Sequence, residues 1–299
     1  MMSKLKEIFE LADEEVSLLL RILKRAIATF PSTYVSTDLI LNGFTSHKGI
    51  IVPIEEVEYK FLFDYYEKTF LETITELLEK MWEEKGSQTN IFAFRVLLEM
   101  SVEDSFLIFN NGVNKDDKEL LLLLNLLSDY ASFNTPLRQR FYSWFEKLFV
   151  EYENLLKNNL SPKDYKEIEK LRHALLSGKP TPVMIKNIRR IISPTKGKIL
   201  DKARTAKLFQ TTDNYVGLSS GWSHALHGNV LLIKNSLADK SKLNHELRVY
   251  AHIFIAGISV LDQVVPYHAN RELTDLFRDF KLQHSEFSVL FKKAWENNS

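Results

Sequence analysis

The polar run between Tyr215 and Asn229 contains the side-chain types that acid–base chemistry requires. Ser220 and His224 are four residues apart, and His227 lies three residues beyond His224. On a helix, this spacing places the side chains along one stripe. Because imidazole transfers protons near neutral pH, Tyr215, Ser220, His224 and His227 are candidate catalytic residues. In the structural alternative, these groups form hydrogen bonds across a helix interface and hold its register.

Histidines farther along the chain raise the question of a metal site. His245 and His252 are seven residues apart, and with His224 and His227 they could supply four imidazole ligands to zinc. However, the polar stripe has no carboxylate at metalloenzyme spacing, and the sequence has no HExxH pattern. The absence of cysteine removes thiolate ligands as well. We therefore predict no metal ion and no cofactor.

The most uneven charge distribution lies between Lys179 and Lys207, where nine Lys and Arg residues accompany one acid, Asp201. Residues 1–150 hold 16 basic and 24 acidic residues, a balance of −8, whereas residues 151–299 hold 23 and 15, a balance of +8. The basic segment could follow a phosphate backbone, or it could dock on the acidic helix predicted at 55–85. The candidate nucleic-acid-binding residues are Lys186, Arg189, Arg190, Lys196, Lys198, Lys202, Arg204 and Lys207.

Tyr215, Leu218-Ser219 and His224 resemble the motif of a bacterial helical family classified as a domain of unknown function. Its members carry a Tyr, a Leu-Ser pair and a His along one helix, and an Arg with a Glu four residues later on an earlier helix. Arg95 and Glu99 match the second motif. The resemblance extends from about residue 90 to about residue 265, and it implies that both residues belong to the site. An ion pair within one helix is the structural alternative.

Such families are similar to the HEPN class, helical proteins of bacterial toxin and phage-defence systems, several of which cut RNA without a metal. The HEPN signature is an Arg, a polar residue and a His four to six residues beyond the Arg, and Arg278, Asp279 and His284 match it. The resemblance implies that Arg278 holds a phosphate while His284 moves the proton of a ribose hydroxyl. In the structural alternative, both are solvated residues of an amphipathic helix, since residues six apart lie on different faces.

The elements that must position these residues are predicted to be helices. Ten glycines and eight prolines are few for 299 residues, which favours long uninterrupted elements. Apolar periodicity and turn residues predict helices at 3–29, 55–85, 91–109, 115–132, a helix ending near 158, then 161–178, 183–192, 198–209, 213–227, 241–265 and 270–296. No alternating run is long enough to demand a sheet. We predict an all-α multi-helix bundle of about nine to eleven helices, with the HEPN-like core that the resemblance implies.

The charge asymmetry divides the chain into an acidic helical region at 1–178 and a basic helical region at 179–299, as two domains or one integrated domain. Pro180, Pro182 and Pro194 make 179–197 the best candidate for a hinge or seam. The first residues have no apolar signal core, and the apolar segment 253–261 is shorter than a membrane span. We therefore predict a cytoplasmic protein with no membrane partner.

Two functions from different classes are compatible with these patterns. The first is an RNA-directed, metal-independent nuclease or nuclease-like component of a bacterial defence or toxin system, with RNA or another nucleic acid as its partner. It depends on the family resemblance, the basic segment and the histidines. The second is a non-catalytic helical interaction protein that assembles with itself, as a homo-oligomer, or with a protein partner. In that case the histidines are structural and the charge asymmetry drives assembly.

Overall fold

The structure is a computed structural model, which describes residues 2–30, 44–47, 50–53, 60–85, 94, 96–132, 145–176, 181–209 and 242–296. In chain order, its helices and strands are α1 (Met2–Ala28), β1 (Phe44–His47), β2 (Ile50–Pro53), α2 (Lys60–Glu83), a π-helical turn (Glu99–Asp104), α3 (Ser105–Phe109), α4 (Lys115–Ser132), α5 (Glu153–Asn159), α6 (Pro162–Leu176), α7 (Pro182–Thr205), α8 (Lys242–His268) and α9 (Arg271–Glu296). Apart from one hairpin, the described elements are helices, which confirms the prediction of an all-α bundle.

The chain divides into two compact units whose boundaries differ from the charge boundary. The first unit comprises Met1–Phe30, Lys68–Asn111 and Gln210–Ser299, and the second comprises Pro31–Glu67 and Gly112–Phe209. Position 178 therefore lies inside the second unit. Apolar residues from both sides of this position, Leu171 before it and Ile188 after it, belong to the same buried cluster. The acidic and basic regions thus describe the distribution of charge along the chain and do not match the two compact units.

Helix α8 is the core helix of the first unit, where it packs against α1, α3, the π-helical turn and α9. Its stretch Val249–His268 is long and apolar enough to cross a membrane, but 61% of this apolar window is buried inside the protein, as in the core helix of a soluble protein. Helix α1 approaches α8 so closely at Gly257 that an added methyl group would overlap the side chain of Leu19. Glycine is therefore required for this packing distance.

The second unit is built around leucine-rich helix α4, which packs against α5 and α7. Its buried cluster includes Leu123, Leu124 and Leu127, each fully buried. Helix α6 begins as the sequence predicts, because the backbone N–H of Asp164 donates to the Ser161 hydroxyl at 3.1 Å and Pro162 occupies the first helical position. These local signals determine where α6 begins, and Leu171 of α6 packs in the same buried cluster as Ile188 of α7.

Helix α7 is longer than the sequence predicts. The predicted helices at 183–192 and 198–209, with a hinge around them, are instead one helix that continues through Pro194. A proline inside a helix costs about 3 kcal/mol, because it removes a backbone hydrogen bond and crowds the preceding turn. Buried Ile191 and Ile199 anchor the helix on either side of Pro194, and the Thr195 hydroxyl donates to the Ile191 carbonyl at 2.8 Å. Packing thus outweighs the local signal of the proline.

Two further local features were not predicted from the sequence. The strands β1 and β2 form an antiparallel hairpin in which Phe44 is paired with Pro53 and His47 with Ile50. These strands have only four residues each, too short for alternation to reveal them. The π-helical turn Glu99–Asp104 lies within the helical segment predicted at 91–109. Such turns insert one residue into an α-helix, and the apolar period does not reveal them.

Candidate nucleic-acid interface and buried histidines

Helix α7 places the predicted basic residues on a scaffold with one buried face. Ile188 and Ile191 point into the apolar cluster of the second unit. Lys186, Arg189 and Arg190 are exposed, and their spacing of three and four residues places them on the opposite face of the helix. We call these three residues the cationic face of α7. Since the isoleucines are buried in the apolar cluster, the three cations on the opposite face of the helix are exposed to solvent.

The cations of the basic segment differ in whether the protein already neutralises them. Lys202 donates to the Asp117 carboxylate at 3.1 Å, and Arg204 pairs with Asp201 at 2.9 Å. Among the residues that the structure describes, no acid pairs with Lys186, Arg189 or Arg190. Further along, Lys198 and Lys207 are exposed and Lys196 is half-buried. The cationic face is thus a group of three exposed cations on one side of α7 that no acid among the described residues neutralises.

Two small residues follow the cationic face along the same side of α7. Ser193 and Gly197 continue the same row at spacings of three and four residues. A methyl group built on Gly197 would meet no atom within 4 Å. From Lys186 to Arg204 the row spans about 27 Å, at 1.5 Å per helical residue. Between Arg190 and Asp201, the residues on this row, Ser193 and Gly197, therefore carry no bulky side chain that would hinder an extended polyanion.

Arg278 and His284 lie on the same helix, but the structure does not bring them together. Arg278 is 63% exposed and pairs with Asp275 at 3.0 Å and with Asp279 at 3.6 Å. His284 faces α1, where its Nδ1 lies 3.5 Å from the Glu15 Oε2 atom. Six residues rotate an α-helix by about 600°, which leaves the two side chains about 120° apart around the helix axis. Arg278 and His284 therefore lie on different faces of α9, and the catalytic roles that the HEPN-like signature implies for them remain predictions.

The groove beside Arg278 is apolar for most of its surface. It has a volume of about 420 Å³ and lies between α8 and α9, where Val265, Pro266 and Phe277 contribute to its wall. Lys281, at the same groove, donates to Asp262 and lies 4.5 Å from the centre of the Phe277 ring. The charged groups at this groove thus have partners within the first unit.

His284 occupies an aromatic environment rather than a solvent-filled cleft. Its ring lies 4.8 Å from that of Phe254, 5.5 Å from that of Phe280 and 6.1 Å from that of Phe287, measured between centroids. Burial lowers the pKa of the imidazole below its usual value of 6.5. Burial, together with the neighbouring Glu14 charge, raises the pKa of the Glu15 carboxyl. Both changes favour the uncharged form of the side chain.

Two other histidines are structural by the same criteria. The ring of His252 is 5% exposed and its centroid lies 3.5 Å from that of Phe94. His268 packs against Phe30 at 4.5 Å and Tyr267 at 5.5 Å, and burial lowers its pKa. Within the described part of the chain, no group of three or more His, Cys, Asp or Glu side chains could hold a metal ion.

The remaining predicted site residues lie mostly outside the described residues. This holds for Tyr215, Ser220, His224 and His227, and also for Arg95. Glu99 is described, and it is the half-buried first residue of the π-helical turn. The catalytic roles of the histidine stripe and of the Arg-to-Glu motif therefore remain predictions.

Sequence reasoning missed a polar cluster around Asp13 of α1. Its carboxylate accepts hydrogen bonds from Trp82 Nε1 at 2.8 Å, from Lys85 Nζ at 2.6 Å and from the Tyr250 hydroxyl. Burial by itself raises the pKa of Asp13, but these three hydrogen bonds outweigh it and leave the pKa below 3.8. Burial and the Asp13 carboxylate raise the pKa of Tyr250, which therefore remains a protonated donor. The donors come from distant helices, so no local motif marks the cluster.

Comparison with known proteins adds no further assignment. No family model, curated protein or solved structure matches this chain. The resemblance to the helical family and to the HEPN class accordingly remains a prediction from short motifs.

Proposed function

We propose that the protein binds RNA through the cationic face of α7, as part of a metal-independent nuclease or nuclease-like component of a bacterial defence or toxin system. The observation that carries the proposal is the contrast within the basic segment. Lys202 and Arg204 have carboxylate partners, whereas Lys186, Arg189 and Arg190 are exposed and have none among the described residues. Unpaired cations on one face favour a ligand that supplies several negative charges in a row.

A nucleic-acid backbone is the polyanion that fits this face best. Each phosphate carries one negative charge, and the Arg guanidinium binds two phosphate oxygens with parallel N–H donors. Such contacts are independent of base sequence and weaken as salt rises, because binding releases counterions. The choice of RNA over DNA is supported by the resemblance to RNA-cutting helical proteins alone.

Cleavage, under this proposal, belongs to the predicted stripe of Ser220, His224 and His227. A neutral imidazole accepts the proton of a ribose 2′-hydroxyl as its oxygen attacks the adjacent phosphorus, and a protonated imidazole returns a proton to the departing 5′-oxygen. No metal is required for that proton transfer. His284 has a different position, since it is enclosed by aromatic rings and its Nδ1 atom faces Glu15.

The test replaces the cationic face and compares it with a matched set of surface lysines. We expect Lys186→Ala/Arg189→Ala/Arg190→Ala to weaken binding of a short single-stranded RNA by about tenfold or more at ~0.1 M salt. The control is Lys115→Ala/Lys163→Ala/Lys166→Ala, which removes the same charge from exposed positions of α4 and α6 in the same unit. Fluorescence anisotropy of labelled RNA measures both affinities. Equal weakening by the two triple variants would contradict the assignment to α7.

A further inference from the structure

The contact between α1 and α9 contains two titratable side chains that face each other. The Glu15 Oε2 atom lies 3.5 Å from the Nδ1 atom of His284, and these side chains are 12% and 18% exposed. Helices α1 and α9 pack directly against each other in the first unit. The two groups are therefore part of the junction between the first and last helices of the described chain.

Neither facing atom has its hydrogen bond satisfied in this geometry. Oε2 of Glu15 and Nδ1 of His284 are both buried, and neither has a hydrogen-bond partner among the described residues. At 3.5 Å the two atoms are farther apart than the 2.7–3.2 Å usual for an N–H···O bond. A buried polar atom without a partner costs about 1–3 kcal/mol. A hydrogen bond between these two atoms would remove that cost for both of them.

The surroundings favour a pair in which neither side chain is charged. Phe254 of α8 and Phe280 and Phe287 of α9 surround the imidazole with apolar rings. In such surroundings an imidazolium and a carboxylate both lose hydration. The directions in which the two pKa values move agree, since burial lowers the pKa of His284 and raises the pKa of Glu15. A neutral carboxylic acid that donates to a neutral imidazole satisfies both buried atoms.

The other charged groups on the three helices include one that acts on Glu15 and several that have partners of their own. On α1, the charge of Glu14 raises the pKa of Glu15 further. Asp13 pairs with Lys85 and Tyr250, Asp262 of α8 pairs with Lys281 of α9, and Arg278 pairs with Asp275. Glu14 acts in the same direction as burial, so it supports the neutral form of the pair.

We propose that Glu15 and His284 form a proton-dependent latch between α1 and α9. In the latched state, the Glu15 carboxylic acid donates its proton in a hydrogen bond to Nδ1 of His284. When His284 takes up a proton from solvent, an imidazolium forms among three phenylalanine rings. When Glu15 loses its proton, a buried carboxylate forms. Either change weakens the latch, and acidification opens it through His284.

The direction of each pH effect follows from linkage. The pKa of His284 is below 6.5 in the folded protein, so as pH falls the unfolded chain binds a proton before the folded chain does. Stability therefore falls as pH falls from about 6.5 to the lower pKa of the folded protein. The pKa of Glu15 is above 4.5 in the folded protein, so as pH rises the unfolded chain releases this proton before the folded chain does. Stability therefore falls as pH rises from about 4.5 to the higher pKa of the folded protein. The two residues therefore contribute opposite pH slopes.

The experiment measures urea unfolding of the full chain as a function of pH in three proteins. We expect Glu15→Gln to remove the loss of stability on the alkaline side and to keep the loss on the acid side. His284→Asn should do the reverse, because Asn keeps a polar group near the Nδ1 position. Where the folded and unfolded pKa values of a group differ by about one, the unfolding equilibrium constant should change by about tenfold across the window. Identical pH profiles for the wild type and Glu15→Gln would overturn the proposal.

Histidine NMR titration of the folded proteins gives a second measurement. His284 should titrate in two steps in the wild type and in one step in Glu15→Gln, since strongly coupled groups share their protons. His268 is the control, because burial also lowers its pKa but its ring contacts are with Phe30 and Tyr267. Its titration should be the same in both proteins. A single, unchanged step for His284, or an equal change at His268, would contradict the latch.

Discussion

Two groups of charged side chains, one around Asp13 in the first unit and one on α7 in the second unit, differ in whether the protein itself supplies their partners. In the first unit, the Asp13 Oδ1 atom accepts hydrogen bonds from three donors of the protein itself. In the second unit, α7 exposes Lys186, Arg189 and Arg190 without a carboxylate partner among the described residues. A dense polar cluster is thus no sign of a ligand site when the fold already supplies its partners. Unpaired charge at the surface is the better indicator.

The largest effect on stability is expected for the cluster of the first unit. Asp13→Asn should lower the free energy of unfolding by about 2 kcal/mol, because hydrogen bonds to a charged group are worth about 1.5–3 kcal/mol and the site is partly exposed. The pKa of Asp13 is below 3.8 in the folded protein, so its contribution should be lost as pH falls below this value. Urea unfolding measures both effects. RNA affinity should be unchanged. A loss of RNA binding would contradict the view that the Asp13 cluster stabilises the first unit while the cationic face of α7 binds RNA.

A smaller loss is expected from the donor that α8 supplies to the same cluster. Tyr250 is fully buried, and Tyr250→Phe removes its hydroxyl while retaining the packed ring. The expected loss in the free energy of unfolding is about 1 kcal/mol, since Asp13 keeps its bonds to Trp82 and Lys85. Combined with Asp13→Asn, the two losses should be less than additive, as for residues that share one interaction. Full additivity would show that the hydroxyl acts independently of Asp13.

The smallest effect is expected at a paired cation of the second unit. Lys202 is 66% exposed and already pairs with Asp117. Lys202→Ala should therefore change the free energy of unfolding by about 0.5 kcal/mol and RNA affinity by less than about twofold. Arg190→Ala should weaken RNA binding by about threefold or more, because each phosphate contact contributes to the salt-dependent affinity. Anisotropy titrations of both single variants sharpen the distinction between paired and unpaired cations, and equal losses would contradict it.

The helices of this fold could be predicted where local signals agree with packing. Apolar periodicity located α1 and α4, and Ser161 with Pro162 located the start of α6. The proline rule failed at Pro194, because buried isoleucines on both sides keep α7 continuous. Propensity describes each residue with its neighbours in sequence, whereas continuity of a helix depends on contacts with other helices.

The candidate site could be predicted in part. Composition identified the basic segment, but it could not show that Lys202 is neutralised by Asp117, 85 residues earlier in the chain. It also could not place Glu15, near one end of the chain, beside His284, near the other. Pairing of this kind arises only when helices that are distant in sequence come together. The unpaired cations and the facing acid and imidazole are therefore results of the fold rather than of any local motif.

Salt-dependent binding of RNA to the wild-type protein tests the central claim most directly. If the three residues of the cationic face each neutralise one phosphate, the logarithm of the binding constant should fall linearly with the logarithm of salt concentration. The slope should be about −2 or steeper for single-stranded RNA. It should become shallower by about 2 when Lys186, Arg189 and Arg190 are replaced by alanine. Absence of RNA binding at low salt, or a slope that the triple variant leaves unchanged, would contradict the account.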